Sequence, residues 1–365
     1  MNWQHATIVA KHKTWGEAAE FDAELPGGQL VRALAYIPQV GEPRVGESVL
    51  VTTATHDRGL GTGGFVMIVA IPGRLPAYTP GPGHVVKARY TPLQYMVMGV
   101  DEQESPYHAL LRDADSIAGM PVIAADLHSA LPAIVAGIHA VRPGARIAYV
   151  MTDGGALPAW FSQTAHALRE GDHILGTISA GQAYGGELEA VNVHTALLAA
   201  RLVWQADIAV VTQGPGNLGT DTRWGFSGTS LGEALNAAHV LGGRPIAALR
   251  ASQADPRSRH VGISHHSLTV LTRVVHVPCA VVVPQLPLPD DVASRLAEQV
   301  RQLKRDHLEL VPYPAQHLDS VLRHPPAPLR TMGRSYEEDP LAFLAAAAAG
   351  EYAGKILPGS SAAGK

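Results

Sequence analysis

Two adjacent histidines stand out among the residues able to do chemistry. His265 and His266 lie in the segment SHHS, where Ser264 is expected to cap the N-terminus of a helix. The positive end of a helix disfavours imidazolium, so neutral rings are expected there, and such rings bind metals or act as bases. Because neighbouring helix residues diverge by about 100°, at most one of the two is expected to face a given site.

Acidic and polar side chains follow several predicted strands, in the segments DLHS, TDGG and AGQAYGGE. With one of the histidines, they would form an acid–base or metal-binding set. The candidate catalytic residues are Asp126, His128, Asp153, Glu187 and His265. The sequence contains no HExxH or similar fixed ligand spacing, so the identity of a metal or another cofactor stays unknown. Structural hydrogen bonding is the alternative role for each residue.

The longest glycine-rich segment runs from Gln213 to Gly228 and contains GPGNLG, a formal match to GxGxxG. It is not a dinucleotide fingerprint, because the next helix is expected only near Thr229 and Pro215 removes a backbone donor where phosphate would be held. Its glycines still let backbone amides approach an anion. The candidate ligand-binding residues are Gly154, Gly155, Gly214, Gly216, Gly219, Arg223, Ser227 and His266.

A serine-hydrolase mechanism is a weaker alternative. Ser227, Asp255 and His265 occur in the chain order of an α/β-hydrolase triad. However, Ser227 lies well beyond its predicted strand and GFSGT is not GxSxG, so the sharp turn that exposes a nucleophile is not expected. A later loop collects basic side chains that either clamp a phosphate or carboxylate or are solvated charges. They are Arg250, Arg257, Arg259 and His260.

The elements that carry these residues alternate between strands and helices from Pro121 onward. Apolar runs such as PVIAADL, ARIAYVMTD and DIAVVTQGP are separated by helical segments. This alternation predicts an α/β fold with right-handed βαβ units and a Rossmann-like, doubly wound parallel sheet. In such sheets ligands bind beyond the carboxyl ends of the strands. The long polar loops all follow strands, whereas RPGA, REGD and LGGR are short, so a ligand site is expected at that edge.

The first hundred residues have a different pattern. Short apolar or alternating runs, LVRALAYI, SVLVTTAT and FVMIVAI, are separated by proline and glycine, which predicts a small β-barrel or sandwich module. The predicted organisation is a β-rich module at residues 1–100, a linker at 101–120, the Rossmann-like domain at 121–325 and a C-terminal tail with a helix at 326–365.

Composition excludes several classes of protein. The net charge of −4 and the lack of a long basic run argue against nucleic-acid binding, although a small anionic ligand remains compatible. Cys279 is the only cysteine, which rules out an intramolecular disulfide and a thiolate zinc cluster. No signal-peptide-like segment or apolar stretch of about 20 residues is present, so we expect a cytoplasmic protein without a membrane span. A homo-oligomer is compatible with the sequence.

Several long motifs resemble a known family. YVMTDGGALP, GGELEAVNVHTALLAA, GFSG, RPIA and GISHHSLT, with GLGTGG and KARYTPLQ nearer the N-terminus, are similar to the bacterial domain of unknown function 3866 family. The resemblance covers most of the chain. It implies a bacterial protein without an established activity, and it supplies no catalytic residues.

Two kinds of function are consistent with these patterns. The first is a small-molecule-binding enzyme that carries out hydrolysis or group transfer on a phosphorylated or carboxylate substrate, at the C-terminal edge of the parallel sheet. The second is a non-catalytic regulatory or scaffold protein, which would bind a partner through an exposed apolar surface such as the alanine-rich C-terminal helix. The sequence alone does not separate them.

Overall fold

Two units make up the chain in the computed structural model, which describes residues 2–77 and 81–358. One unit contains Met1–Met98 and Trp160–His166, and the other contains Gly99–Ala159 and Ala167–Lys365. The four-part division predicted from the sequence stays a prediction.

The N-terminal unit is built on a closed barrel of five strands. These are β1 (Trp3–Trp15), β2 (Ala18–Glu24), β3 (Leu30–Tyr36), β4 (Ser48–Thr52) and β5 (Val66–Ala70), with the short helix α1 (Ile37–Val40) after β3. Their order is β1-β2-β3-β5-β4, and β1 also pairs with β4. The β3–β5 pair is parallel and the others are antiparallel. This is the connectivity of the five-stranded Greek-key barrel called the OB-fold.

The small β-barrel or sandwich module predicted from the alternating apolar runs is therefore confirmed, and it is a barrel. Ile8, Phe21, Ala33, Val51 and Ile68, one from each strand, meet in its core. Closure leaves no open sheet edge, which matters for a small β unit. A hairpin of β6 (Val85–Lys87) and β7 (Tyr95–Val97) completes the strands of this unit among the described residues.

The second unit contains an eight-stranded sheet in which every neighbouring pair is parallel. The strands from here onward are β8 (Pro121–Ala125), β9 (Ile147–Thr152), β10 (Gly176–Ala180), β11 (Leu188–Ala190), β12 (Ile208–Gln213), β13 (Arg244–Ala248), β14 (Ala251–Ser252), β15 (Gly262–Ile263), β16 (Cys279–Gln285), β17 (Leu308–Pro314), β18 (Arg330–Thr331) and β19 (Arg334–Ser335). β14 pairs with β15 and β18 with β19, outside the main sheet.

Helices flank this sheet, as predicted for a doubly wound fold. The helices of the second unit are α2 (His108–Leu111), α3 (Leu131–Val141), α5 (Val193–Leu202), α6 (Ser230–Val240), α7 (His265–Arg273), α8 (Asp290–Gln302), α9 (Asp319–Leu322) and α10 (Pro340–Lys355). Residues 163–166 of the further helix α4 (Gln163–Glu170) belong to the first unit and residues 167–170 to the second. None of the helices in the described part of the chain combines the length and apolarity needed to cross a bilayer.

The strand order places three loops side by side. The sheet runs β11-β10-β9-β12-β8-β13-β16-β17. β8 is the first strand of this sheet, and β9, β10 and β11 lie to one side of it. β12 is inserted between β8 and β9, and β13 pairs with β8 on the other side. The carboxyl ends of β12, β8 and β13 are therefore neighbours at the point where the winding direction changes. Open parallel sheets bind their ligands at such a point.

The alanine-rich helix α10 is buried within the second unit, so the expectation that it forms an exposed docking surface is wrong. Leu341, Phe343 and Ala345 are inaccessible or nearly so. The helix packs against α3 and against strands β8, β13 and β16. Asp339 anchors its start by accepting hydrogen bonds from Ser252 Oγ (2.6 Å) and from the backbone N–H of Gln253 (2.9 Å).

Reciprocal glycines set the contact between α3 and α10. A Cβ added to Gly137 of α3 would lie 2.0 Å from the carbonyl oxygen of Ala347, and one added to Gly350 of α10 would lie 2.1 Å from that of Ile134. Backbone oxygens cannot move away as a flexible side chain can. The two helices therefore approach as closely as they do only because both positions lack a side chain.

Gly137→Ala is expected to destabilise the protein by about 1–3 kcal/mol through overpacking, although alanine is intrinsically the better helix former. Chemical denaturation measures the change. Gly144→Ala is the matched control, because a Cβ at Gly144 meets nothing within 4 Å. A Gly137→Ala variant as stable as the wild type would contradict the close contact.

Candidate functional site

Asp126 is a buried carboxylate at the carboxyl end of β8, with 3% of its surface exposed. Its Oδ1 accepts a hydrogen bond from Asn217 Nδ2 (3.0 Å), and its Oδ2 accepts one from Arg250 Nη1 (2.9 Å). His266 Nδ1 lies 3.3 Å from the same Oδ2. A Cβ on Gly228 would be 1.8 Å from Oδ1, so the loop after β12 packs directly on the carboxylate. We call these four polar residues, Asp126, Asn217, Arg250 and His266, the Asp126 centre.

Asp126 is held in its charged form. Burial acts to raise the pKa of this carboxyl group, but the hydrogen bond with His266 and the charge of Arg250 outweigh burial, and the pKa is lowered. A buried ion pair is costly to form, and removing one partner leaves an unpaired charge in the interior. The centre is therefore a fixed electrostatic feature of this edge.

Three histidines meet beside the Asp126 centre. His260, His265 and His266 each offer a ligand atom, and these atoms all lie within 4.8 Å of one another. Ser264 caps α7 by accepting from the backbone N–H of His266, and its Oγ is 2.8 Å from His260 Nδ1. The ring of Phe226 stacks on that of His266 with centroids 3.8 Å apart. We call these three residues the histidine cluster.

Both members of the SHHS pair belong to one cluster, whereas the helix geometry alone predicts that at most one faces a given site. The ring centroids of His265 and His266 are 4.4 Å apart. Burial, with the nearby charges of Arg250 and Arg257, lowers the pKa of His260 to about 3. Burial, with His266 and Arg259, lowers the pKa of His265 to about 4. The neutral ring expected for His265 from the helix position is thus favoured by these surroundings.

His260 is the member that sequence reasoning assigned elsewhere, to a basic loop. It joins the pair because β14 and β15 are antiparallel, with Ala251 opposite Ile263, which folds the intervening loop back on itself. The available signal was the spacing of the histidines in RHVGISHH. His265 and His266 follow His260 by five and six residues, so no single face of a regular helix or strand would carry all three, and only the turn could reveal the contact.

His128 takes part in a buried polar chain beneath the sheet edge. Its Nδ1 is 2.9 Å from the hydroxyl of Tyr149, which is 2.9 Å from Thr212 Oγ1, and Thr212 donates to the carbonyl of Gln213 (2.8 Å). This direction requires Nδ1–H on His128 and donation from Tyr149 to Thr212. Burial lowers the pKa of His128 to about 4. The ring is fixed between strands by these bonds.

The other two acidic candidates accept hydrogen bonds from backbone N–H groups at the two ends of β10. Asp153 is exposed after β9, and its Oδ2 accepts from the backbone N–H of Gln182 (2.8 Å). Glu187 lies at the amino end of β10, where it accepts from the N–H of Thr177 (2.7 Å) and pairs with Arg169 (3.0 Å). β11 runs parallel to β10, so the chain must return to the amino edge of the sheet before β11 begins. Glu187 precedes β11 and therefore lies at the opposite edge from the Asp126 centre.

The candidate glycines hold two loops together. A Cβ on Gly155 would lie 2.1 Å from the carbonyl oxygen of Gly214, and one on Gly154 would lie 2.5 Å from Gln213 Oε1. The loops after β9 and β12 thus touch through their backbones. Gly216 and Gly219 are exposed further along the β12 loop, as is Arg223.

A serine-hydrolase triad is not assembled. Ser227 donates its hydroxyl to Asn217 Oδ1 (2.9 Å) and accepts from the N–H of Leu218 (3.0 Å). Asp255 is bound by Arg257 (2.9 Å) and Arg334 (3.2 Å). Ser227 therefore supports the Asp126 centre through Asn217.

A cavity of about 30 Å³ adjoins Asp126 and Arg250 and reaches Asp255 and Arg334. That volume suits one or two waters, so a larger ligand would have to lie above the edge, over the loops. A wider hollow of about 610 Å³ lies at the opposite edge, beside His139. There the ring of His139 is 3.0 Å from the carbonyl oxygen of His173, a structural contact. The chemically richer edge is thus the one with the smaller cavity.

Comparisons with known proteins identify one family. A family model described as "Protein of unknown function (DUF3866)" matches residues 32–350. Neither the curated proteins nor the solved structures contain a match.

Arg250→Met is expected to cost about 3–5 kcal/mol of stability, because Asp126 is then left buried without its charged partner. The matched control is Arg323→Met, which breaks the exposed Arg323–Asp319 pair and is expected to cost less than about 1 kcal/mol. Urea denaturation compares the two variants. Equal losses would show that the buried pair has no special weight.

The pKa of His128 is about 4 in the folded protein, whereas an unfolded histidine is protonated below about pH 6.5. Protons therefore bind the unfolded chain more strongly, and the free energy of unfolding is expected to fall as the pH drops from about 6.5 toward 4. His128 alone contributes roughly 2 kcal/mol of this loss between pH 7 and pH 5. His128→Gln should therefore flatten the pH dependence of unfolding, whereas the exposed His276→Gln should not. If the stability of His128→Gln fell with pH as steeply as that of the wild type, the lowered pKa of His128 would be refuted.

Proposed function

The chain belongs to the domain of unknown function 3866 family, and on that premise we propose that it is a small-molecule enzyme acting at the C-terminal edge of the parallel sheet. The reaction is hydrolysis or group transfer on a substrate that carries a phosphate or carboxylate. The observation that carries the proposal is the Asp126 centre, placed with the histidine cluster where β12, β8 and β13 end.

Buried ionisable groups support a functional role for this edge. A buried carboxylate, its guanidinium partner, two buried imidazoles and the half-buried ring of His265 are costly to gather at one edge, and strongly perturbed groups concentrate at functional sites. A purely structural edge would be filled more favourably by apolar side chains. The Asp126–His266 contact also resembles the carboxylate–imidazole pairs that orient a catalytic or ligating ring.

Arg259 supports the anionic character of the substrate. Its side chain is 37% exposed, and its Nη1 pairs with Asp221 (2.8 Å). Its Nε is buried and has no hydrogen-bond partner among the described residues. The Arg259 charge also lowers the pKa of His265, so the guanidinium lies near the cluster. A phosphate or carboxylate above His265 would supply an acceptor for such a planar donor group.

The remaining predicted residues take secondary roles in this proposal. Asp153 and Arg223 are exposed in the loops after β9 and β12 and are proposed to face the substrate. A catalytic role is assigned to His265, whose neutral ring can either accept a proton or ligate a metal ion.

A regulatory or scaffold role is the second candidate, supported by two exposed apolar side chains. Leu218 is 69% exposed and Trp224 is 53% exposed, both in the loop after β12. Such a loop would suit a protein partner. A partner-binding role predicts that small anions leave the melting temperature unchanged.

Inorganic phosphate and acetate are expected to raise the melting temperature of the wild-type protein, and Arg259→Gln should weaken the response. Loss of one charge-assisted bond corresponds to about a tenfold weaker affinity or more. Arg273→Gln, which changes an exposed arginine at the end of α7, is the control. Hydrolysis of chromogenic phosphate and carboxylate esters is followed in parallel.

The anionic-substrate assignment fails if neither anion stabilises the wild type, or if Arg259→Gln responds as the wild type does. In that case Leu218→Ser and Trp224→Ser variants would test the partner-binding alternative.

A further inference from the structure

We propose that His260, His265 and His266 bind one divalent transition-metal ion of the zinc type, each through its Nε2 atom. The inference deepens the proposed function and rests on it for the purpose of the site, but binding of the metal itself can be measured separately.

The spacing of the three rings is close to that of a metal site. Their ligand atoms lie within 4.8 Å of one another. Zinc–nitrogen bonds of about 2.0–2.1 Å in tetrahedral geometry place ligand nitrogens about 3.3 Å apart. On binding, rotation of the three side chains is expected to close the difference.

Hydrogen bonds identify which nitrogens are available. The Nδ1 of His260 is engaged by Ser264 Oγ (2.8 Å), and the Nδ1 of His266 lies 3.3 Å from Asp126 Oδ2. This leaves the Nε2 atoms of both rings for the metal. The Nε2 of His265 is buried and has no hydrogen-bond partner within residues 2–77 and 81–358. A buried unpartnered nitrogen is costly, and a metal ion would satisfy it.

A choice between tautomers of His266 links the metal to the Asp126 centre. Its Nδ1 is 3.1 Å from Arg250 Nη1 and 3.3 Å from Asp126 Oδ2. With a hydrogen on Nδ1 the ring donates to Asp126, and without it the ring accepts from Arg250. Ligation at Nε2 selects the first form. Ligating histidines commonly donate their other N–H to a carboxylate, which fixes the ring and increases its basicity.

The surrounding charges are balanced. Arg250, Arg257 and Arg259 near the cluster are paired with Asp126, Asp255 and Asp221, respectively. Histidine binds metals in its neutral form, which adds no charge to the site. The ion would therefore keep its positive charge and favour an anion in the fourth position. Three protein ligands with one open position are typical of catalytic rather than structural zinc sites.

An open position fits the proposed reaction. A phosphate or carboxylate oxygen of the substrate, or a water molecule, would occupy it. A bound metal of this kind polarises such an oxygen or lowers the pKa of a bound water toward neutrality.

The test uses tag-free protein that has been treated with a chelator and dialysed. Zn²⁺ is titrated in competition with a chromophoric chelator, and Co²⁺ is added separately because its tetrahedral complexes absorb visible light. The variants are His265→Ala and His260→Gln, each checked for folding by circular dichroism. The control is His276→Ala, which removes an exposed histidine just beyond α7.

One Zn²⁺ per chain is expected for the wild type and for His276→Ala. Loss of a ligand should weaken binding by more than the roughly 10–100-fold that loss of an outer partner costs. Both ligand variants should also lose the tetrahedral Co²⁺ spectrum. The second variant keeps the test valid if the first does not fold.

The metal inference is overturned if the wild type binds no Zn²⁺, or if the folded ligand variants bind it as well as the wild type. Zn²⁺ binding without any response to phosphate or acetate supports the metal site and overturns the proposed substrate class alone. A response to those anions without Zn²⁺ binding overturns the metal site alone.

Discussion

The ion pair between Asp126 and Arg250 is the interaction on which the candidate site depends. One carboxylate at the end of β8 receives Arg250 from the segment after β13, Asn217 from the loop after β12, and His266 from α7. Four segments that are distant in sequence are thereby fixed to a single pair of oxygens. Since neither charge can be left alone in the interior, the positions of these segments are coupled. Because His266 belongs to both groups, the position of the histidine cluster depends on this arrangement.

Support for the Asp126 centre and the histidine cluster comes from neighbouring side chains. Ser227 holds Asn217, Phe226 stacks on His266, and Ser264 contacts His260 while capping α7. Beneath them, the chain from His128 to Tyr149 and Thr212 joins neighbouring strands. Preorganised sites require such supporting residues, since small displacements of a reacting group are costly. Several polar residues that look catalytic in sequence therefore also make hydrogen bonds that support the fold.

Local pattern was enough to predict the architecture. The alternation of apolar runs and helical segments predicted the parallel sheet, and the position of Asp126 directly after a buried strand predicted its place at the carboxyl edge of that sheet. Other positions depend on long-range pairing. His260 required the antiparallel contact of β14 and β15, and Glu187 required the direction of β11. The alanines of α10 are as compatible with an exposed helix as with a buried one. The close packing of α10 on α3 requires a residue without a side chain at Gly137, a contact that the sequence of α10 alone does not indicate.

The packing of α10 on α3 has a consequence for how the protein is made. β8, α3 and the loop that carries Arg250 are synthesised well before α10, yet that helix covers β8 and β13 and is joined to Ser252 through Asp339. Domains generally fold as units during translation, with N-terminal ones first. The barrel can therefore close while the ribosome is still elongating the chain. The apolar face that α10 covers stays open to solvent and chaperones until the last turns of the helix have left the exit tunnel.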